Sequence, residues 1–181
     1  MWRLRHAVRT LRAGGLVAHP TEGVWGLACD PLLPTAVLRL LAVKRRDPAK
    51  GLILIVHQLD ALRPFLDAPP DQIERAQADW PGPVTWLLPV APEVPWWLTG
   101  DHDTLAVRVT AHPVASALCR AFGAPLVSTS ANLSGHPALR HPWQVRAQLG
   151  NAVDMLLAGE LATPGHPSTI RDAATGDVIR D

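Results

Sequence analysis

The residues best suited to chemistry fall in two stretches. The first, Pro125 to Gly135, reads PLVSTSANLSG. Its apolar start, Pro125, Leu126 and Val127, is long enough to end a buried strand. Ser128, Thr129, Ser130, Asn132 and Ser134 then crowd hydroxyl and amide groups together. Small polar side chains at this density bond their own backbone and favour a turn. Such a turn after a strand can aim several N–H and O–H donors at one point, which suits an oxyanion such as phosphate or carboxylate. It can equally be a polar loop that satisfies only itself. The second stretch, Lys44-Arg45-Arg46 followed by Asp47, Pro48, Ala49 and Lys50, sets four cations within seven residues at a helix end. As structure, they complement the helix dipole for roughly a few tenths of a kcal/mol. As function, they form a clamp whose mutual repulsion an anion relieves.

Base usage adds to the second reading. Fifteen of the 17 basic residues are arginine, and the two lysines, Lys44 and Lys50, both lie in this segment. A chain that otherwise writes arginine keeps lysine where a compact ammonium is needed. The net charge of +1 argues against a dedicated nucleic-acid binder, which is usually more lopsided.

Several familiar signals are missing from the sequence. It contains no GxxxxGK[ST], no GxGxxG after a strand and no GxSxG. No Ser–His–acid order is visible, so a hydrolase with an activated nucleophile ranks last. Asp101-His102-Asp103 reads as an exposed acidic turn rather than a metal fragment. Five of the eight histidines (His19, His112, His136, His141 and His166) precede proline, which reads as loop and helix-start geometry rather than ligation. The seven tryptophans sit mostly beside proline or aliphatic residues and read as core or cleft wall rather than a base-stacking ladder, with Trp25 the one expected as a wall of the cleft.

Alternating elements must position these residues. Leu4, Ala7, Val8 and Leu11 follow helical spacing, closed by Gly14-Gly15. Leu16-Val17-Ala18 is a short strand running into HPTEGVWG. Pro34 opens a helix ending near Lys44, and GLILIV (51–56) is a strand buried on both faces. Helical pieces follow near 58–66 and 70–79, then strands within 80–90 and 105–109, a helix from Pro113 to Phe122 and the strand at 125. A helix near 142–149 and strands near 153–157 and after Ser168 complete the chain. This order indicates an α/β fold with a mixed sheet. Ligands of open α/β sheets bind where loops leave strand ends. Thr21-Glu22-Gly23, Thr104, Ser128 to Ser134 and Ser168-Thr169 are therefore expected to converge on one cleft. At 181 residues, 48% hydrophobic and 18% charged, one domain is expected. Two cysteines, no apolar leader and no long apolar run point to a cytoplasmic protein with no membrane association.

Six blocks in order, HPTEGVWGLACDP, VKRRDPAKGLILIV, WPGPVTWLLP, TLAVRVTAHP, PLVSTSANLSG and PSTIRDAATGDVIR, resemble the YrdC-like family, in its short bacterial single-domain type. The resemblance spans essentially the whole chain, 1–181. It implies a twisted mixed sheet with helices on both sides and a positively charged concave cleft. The implied activity is nucleotidyl transfer: L-threonine, bicarbonate and ATP give threonylcarbamoyl-AMP and pyrophosphate. The implied use is threonylcarbamoyladenosine modification of tRNA beside the anticodon, with the proteins of the tRNA threonylcarbamoyl-transfer complex as partners and possible weak contact with tRNA or other RNA.

Carried over by resemblance, Arg46 and Lys50 are the nucleotide-phosphate contacts and Lys44 supports them. Thr104, Ser130, Asn132 and Arg180 lie near ATP, with Asn132 and Ser134 holding the loop in shape. Arg108 pairs with the threonine carboxylate, Ser128 and Ser168 line the threonine pocket, and Gly23 contributes backbone. Mg²⁺ arrives with ATP and keeps its waters, so no protein metal cage is expected. The chain departs from the family pattern at Asp47, where proline usually follows the clamp arginine, and at Trp25, more often tyrosine or phenylalanine. The family's alternative implied role is a double-stranded RNA or ribosome-associated binding protein.

Overall fold

The computed structural model describes residues 2–163 and 165–180. Nine strands form one mixed sheet: β1 (Val17–Pro20), β2 (Trp25–Cys29), β3 (Ile53–Val56), β4 (Val84–Pro89), β5 (Thr104–Val109), β6 (Leu126–Ser130), β7 (Met155–Leu156), β8 (Thr169–Asp172) and β9 (Val178–Arg180). Their order across the sheet is β7-β1-β2-β6-β3-β5-β4-β8-β9. Parallel pairs β1–β7, β3–β5 and β4–β8 are interleaved with antiparallel ones. The helices are α1 (Trp2–Arg12), α2 (Pro34–Lys44), α3 (Pro70–Gln77), α4 (Trp96–Thr99), α5 (Pro113–Phe122) and α6 (Pro142–Leu149).

Side chains alternate across each strand, so every strand feeds two layers. On one face Ala18, Trp25, Leu27, Leu54, Trp86 and Val127 pack with α2, α3, α4 and α6. On the other, Val17, Ala28, Ile55 and Leu126 pack with Ala7, Val8 and Leu11 of α1 and Leu118, Cys119 and Phe122 of α5. Each fully buried aliphatic side chain in these layers contributes roughly 1.5–3 kcal/mol.

The sequence reading differs from the structure in instructive places. It ran β1 into a loop where β2 forms a complete strand, buried along its whole length and paired with both β1 and β6. Gly26 in its middle depresses strand character, and pairing on both edges overrides that. The piece near 58–66 takes the tighter 3-10 form, with Pro64 inside it. The first polar residues of the serine-rich stretch, Ser128 to Ser130, belong to β6 rather than to a turn. Trp25 is not a wall of the cleft. It alternates with Gly26, so its ring enters the opposite layer, where it is buried.

Candidate substrate cleft

Beyond the ends of α1 and α5 the second sheet face is open, and two adjoining cavities occupy it. The larger, about 200 Å³, has an apolar floor from Ile53, Leu87, Ala106 and Ile170 and a polar rim from Lys50, His102 and Thr104. The smaller, about 70 Å³, is walled by Thr21, Gly26, Arg108, Ser128, Ser130 and Ser168. Arg46, Ile53 and Arg180 line both, and neither lining includes an acid.

Arg46 reaches this junction because α2 ends one residue too early to carry it. Arg45 adopts the left-handed conformation at φ 50° and turns the chain. The Arg46 guanidinium then donates through Nε and Nη2 to the Gly51 carbonyl at 3.2 and 2.9 Å. Gly51 itself has φ +60°, and a Cβ there would stand 2.6 Å from the Thr99 carbonyl. Leu52 N–H donates to Leu98 O at 2.8 Å and Asp101 N–H to Ala49 O at 3.0 Å, so the cation-bearing loop lies against the end of α4 and the residues after it. Asp47 caps the short 3-10 turn Pro48–Lys50, its carboxylate accepting from Ala49 N–H at 3.0 Å. Burial lowers the Arg46 pKa, with Asp47 opposing the shift.

Lys44 corrects the sequence expectation. Its side chain is 2% exposed and lines neither cavity. Nζ donates instead to the carbonyls of Ser130 and of Asn132, the latter at 2.7 Å. The ammonium thus ties the end of α2 to the segment after β6, and burial, with Arg46 nearby, lowers its pKa to about 8. The N–H groups of that segment are also committed. Ala131 donates to Trp25 O at 2.7 Å, Asn132 to Ser130 O at 2.9 Å, Leu133 to Gln148 Oε1 at 3.1 Å and Ser134 to Lys44 O at 2.8 Å. Beyond Ser130 the stretch is a loop whose N–H groups are taken up by β2, α2 and α6 as well as by the loop itself, and the guanidinium groups, not these N–H groups, are left to the cleft. Asn132 donates through Nδ2 to Leu133 O and His136 O at 2.9 and 2.6 Å, holding that loop in shape.

Arg108 is 6% exposed and pairs with Glu22, Nη1 to Oε2 at 3.4 Å. Glu22 Oε1 accepts from Thr110 Oγ1 at 2.6 Å and from Ala111 N–H at 3.1 Å. Burial pushes the Glu22 carboxyl up, but Arg108 and the Thr110 bond outweigh it and hold the pKa below its ordinary value. Arg108 Nε has no partner among the described residues, a buried donor that a bound anion could satisfy. Arg180 donates to Ser168 O at 2.9 Å, and the Ser168 hydroxyl lies 2.8 Å from Thr85 Oγ1. Burial, then Arg46 and Arg108, lowers the Arg180 pKa.

Eight of the eleven residues expected to act line the cavities: Arg46, Lys50, Thr104, Arg108, Ser128, Ser130, Ser168 and Arg180. Lys44 and Asn132 stand behind the wall. Gly23 is also outside it, because the chain leading to Ser168 presses on it. A Cβ at Gly23 would meet the His166 carbonyl at 2.0 Å, and the Gly23 carbonyl accepts from Gly165 N–H at 3.1 Å.

Thr21, expected at a strand end, lines the smaller cavity, while sequence reasoning missed Gly26, His102 and above all His19. His112 and His141 are helix N-caps as expected, but His19 lies in β1, fully buried, with Nε2 3.3 Å from Ser128 Oγ. The signal available was position: His19 is two residues after Val17, on the same face of one strand. This pair is not a hydrolytic triad. His19 Nδ1 is 3.1 Å from the Pro20 carbonyl, and Glu22 is engaged by Arg108, Thr110 and Ala111.

A sequence profile for Sua5/YciO/YrdC, described as "Telomere recombination", matches residues 9–181. The chain belongs to this family. A relative from Xanthomonas campestris pv. campestris (strain B100), named threonylcarbamoyl-AMP synthase, is 51% identical over 178 residues, 97% of this chain and 95% of its own. One of the same name from Alkalilimnicola ehrlichii is 54% identical over 183 residues, 99% of this chain and 95% of that one. Among solved structures, P. abyssi Sua5 complexed with L-threonine superposes with a TM-score of 0.89 at 34% identity, covering 94% of this chain and 51% of that chain. The chain thus spans about half the length of that longer protein.

Proposed function

We propose that the cleft joins L-threonine, bicarbonate and ATP into threonylcarbamoyl-AMP and pyrophosphate, making this protein a threonylcarbamoyl-AMP synthase. The observation that carries the reading is the shared wall: a larger cavity with an apolar floor and a smaller one rich in hydroxyls meet at Arg46 and Arg180. Relatives about half identical over nearly the whole chain carry that name.

In this reading the larger cavity takes ATP. Its apolar floor suits an adenine ring, and Arg46, Lys50 and Arg180 face the phosphates. The smaller cavity takes threonine, with Arg108 toward the carboxylate, since a guanidinium can hold a carboxylate in bidentate fashion. The threonine amine and bicarbonate condense with loss of water to a carbamate. A carbamate oxygen then bonds to the α-phosphorus as the bond to the β-phosphate breaks and pyrophosphate leaves. Negative charge grows at the junction of the cavities, where Arg46 and Arg180 are already fixed by the Gly51 and Ser168 carbonyls. Donors held in place before the reaction stabilise such charge without reorganising. The linings offer hydroxyls but no carboxylate to a divalent cation, so Mg²⁺ enters bound to the nucleotide's phosphates and water. Downstream, the adenylate is consumed by proteins that transfer the threonylcarbamoyl group to tRNA.

Incubation with ATP, threonine and labelled bicarbonate, followed by rapid mass spectrometry, tests the chemistry. An acid-labile adenylate carrying the bicarbonate carbon supports it. Label confined to free bicarbonate, with ATP consumed, refutes it.

A further inference from the structure

We propose that His19 is a positioning residue for the small cavity: by accepting the Ser128 hydroxyl proton, it turns that oxygen's lone pairs toward the ligand, so this wall reads a hydrogen-bond donor. The inference rests on the assignment of that cavity to the amino acid.

The polarity follows from a short chain of bonds. The Pro20 carbonyl can only accept, so the His19 Nδ1 facing it at 3.1 Å carries the proton. A neutral ring then has no proton on Nε2, and the contact of 3.3 Å with Ser128 Oγ requires the serine to donate. His19 is fully buried, and the ionisable groups around it are Arg108 of β5, Glu22 of the β1–β2 turn and His112 at the start of α5. Burial dominates, lowering its pKa to about 4, so the ring is neutral at physiological pH. Thr21 behaves in the same way. Its hydroxyl donates to Val24 O at 2.6 Å, so it too has no proton left for a ligand.

Gly26 completes the niche. A Cβ there would stand 3.0 Å from His19 Nε2, 3.1 Å from Ser128 Oγ and 3.1 Å from Thr21 Cγ2. The missing side chain leaves Ser128 Oγ uncovered, with the Thr21 methyl beside it. The small cavity therefore has a donor end, Arg108, and an acceptor end, Ser128. A zwitterionic hydroxy amino acid fits that order, carboxylate to the first and amine or hydroxyl to the second. An unanchored serine could rotate its proton into the cavity and lose this sense; the histidine removes that freedom.

The test has two arms. In the unsubstituted protein, ¹⁵N NMR of His19 reports the tautomer without any substrate. Protonated Nδ1 and bare Nε2 are expected, and a proton on Nε2 overturns the proposal. In the second arm, steady-state kinetics compare His19→Phe, Ser128→Ala and the double variant. His19→Phe should raise the threonine KM about tenfold, the scale of one hydrogen bond, with the ATP KM unchanged. It should add nothing further in the Ser128→Ala background. His19→Gln, whose amide can donate to Pro20 O and accept from Ser128, should recover most of the loss. Additive effects, or threonine and ATP KM values rising together, overturn the proposal. If the unsubstituted enzyme never consumes threonine, the assigned function falls, while the tautomer still decides the His19–Ser128 bond.

Discussion

One face of the sheet carries two unlike surfaces on the same strands. Under α1 and α5 it shows Val17, Ala28 and Leu126; two residues further along the same strands it shows His19, Gly26 and Ser128. Along β5, Ala106 floors the larger cavity and Arg108 walls the smaller. Two strand residues span about 6.6 Å, so core becomes cleft within one step of the pleat. The lesson is that the cleft needs no loops of its own to place most of its walls. Its side chains inherit their spacing from a hydrogen-bonded ladder whose covered half supplies the stability.

That contrast can be broken by substitutions. Arg108→Ala should do most damage, because it leaves Glu22 buried and unpaired. A loss of roughly 3–5 kcal/mol in urea unfolding is expected together with loss of pyrophosphate formation. Leu118→Ala, in the covered half, should cost about 2–5 kcal/mol while leaving turnover per folded molecule intact. A large drop in its specific activity would mean that the two halves are not separable. Arg46→Ala should show the reverse: kcat/KM lower by about 10²–10³ and an unfolding midpoint near that of the parent.

The pH dependence sharpens the comparison. His19 binds its proton more weakly when folded, at about 4, than in the unfolded chain near 6.5. Between these values the unfolded state binds more protons, so stability falls as pH drops from 6.5 toward 4, by about 3 kcal/mol. Glu22 and Asp154, whose pKa values are lowered, keep their contributions above the ordinary carboxylate range and lose them as pH falls through their own folded values. Urea midpoints across this range should show the slope and His19→Phe should flatten it. The smallest effect belongs to the surface. Arg39 holds Asp154 with two bonds of 2.6 and 3.0 Å, but both side chains are more than a third exposed. Arg39→Ala should cost about 1 kcal/mol or less and no activity.

Much of this was legible in the residues. The buried run GLILIV, the proline-opened helices at 34 and 113, and the convergence of Thr21, Thr104, Ser128 and Ser168 follow from local rules and strand-end logic. What was hidden depended on neighbours across the sheet. β2 looked like loop because Gly26 sits inside it and the turn residues Thr21-Glu22-Gly23 run up to it, and its pairing with β1 and β6 overrides both. Lys44 and Arg46 are two residues apart with similar charge, yet the left-handed turn at Arg45 sends one under the β6 segment and the other into the cleft. His19 and Ser128 are 109 positions apart, and no local pattern links them.

The most direct measurement is pyrophosphate release with ATP and Mg²⁺, omitting threonine and bicarbonate in turn. Release that requires both matches two cavities joined at Arg46 and Arg180. Release that ignores threonine, or no release with all three substrates present, contradicts that joining.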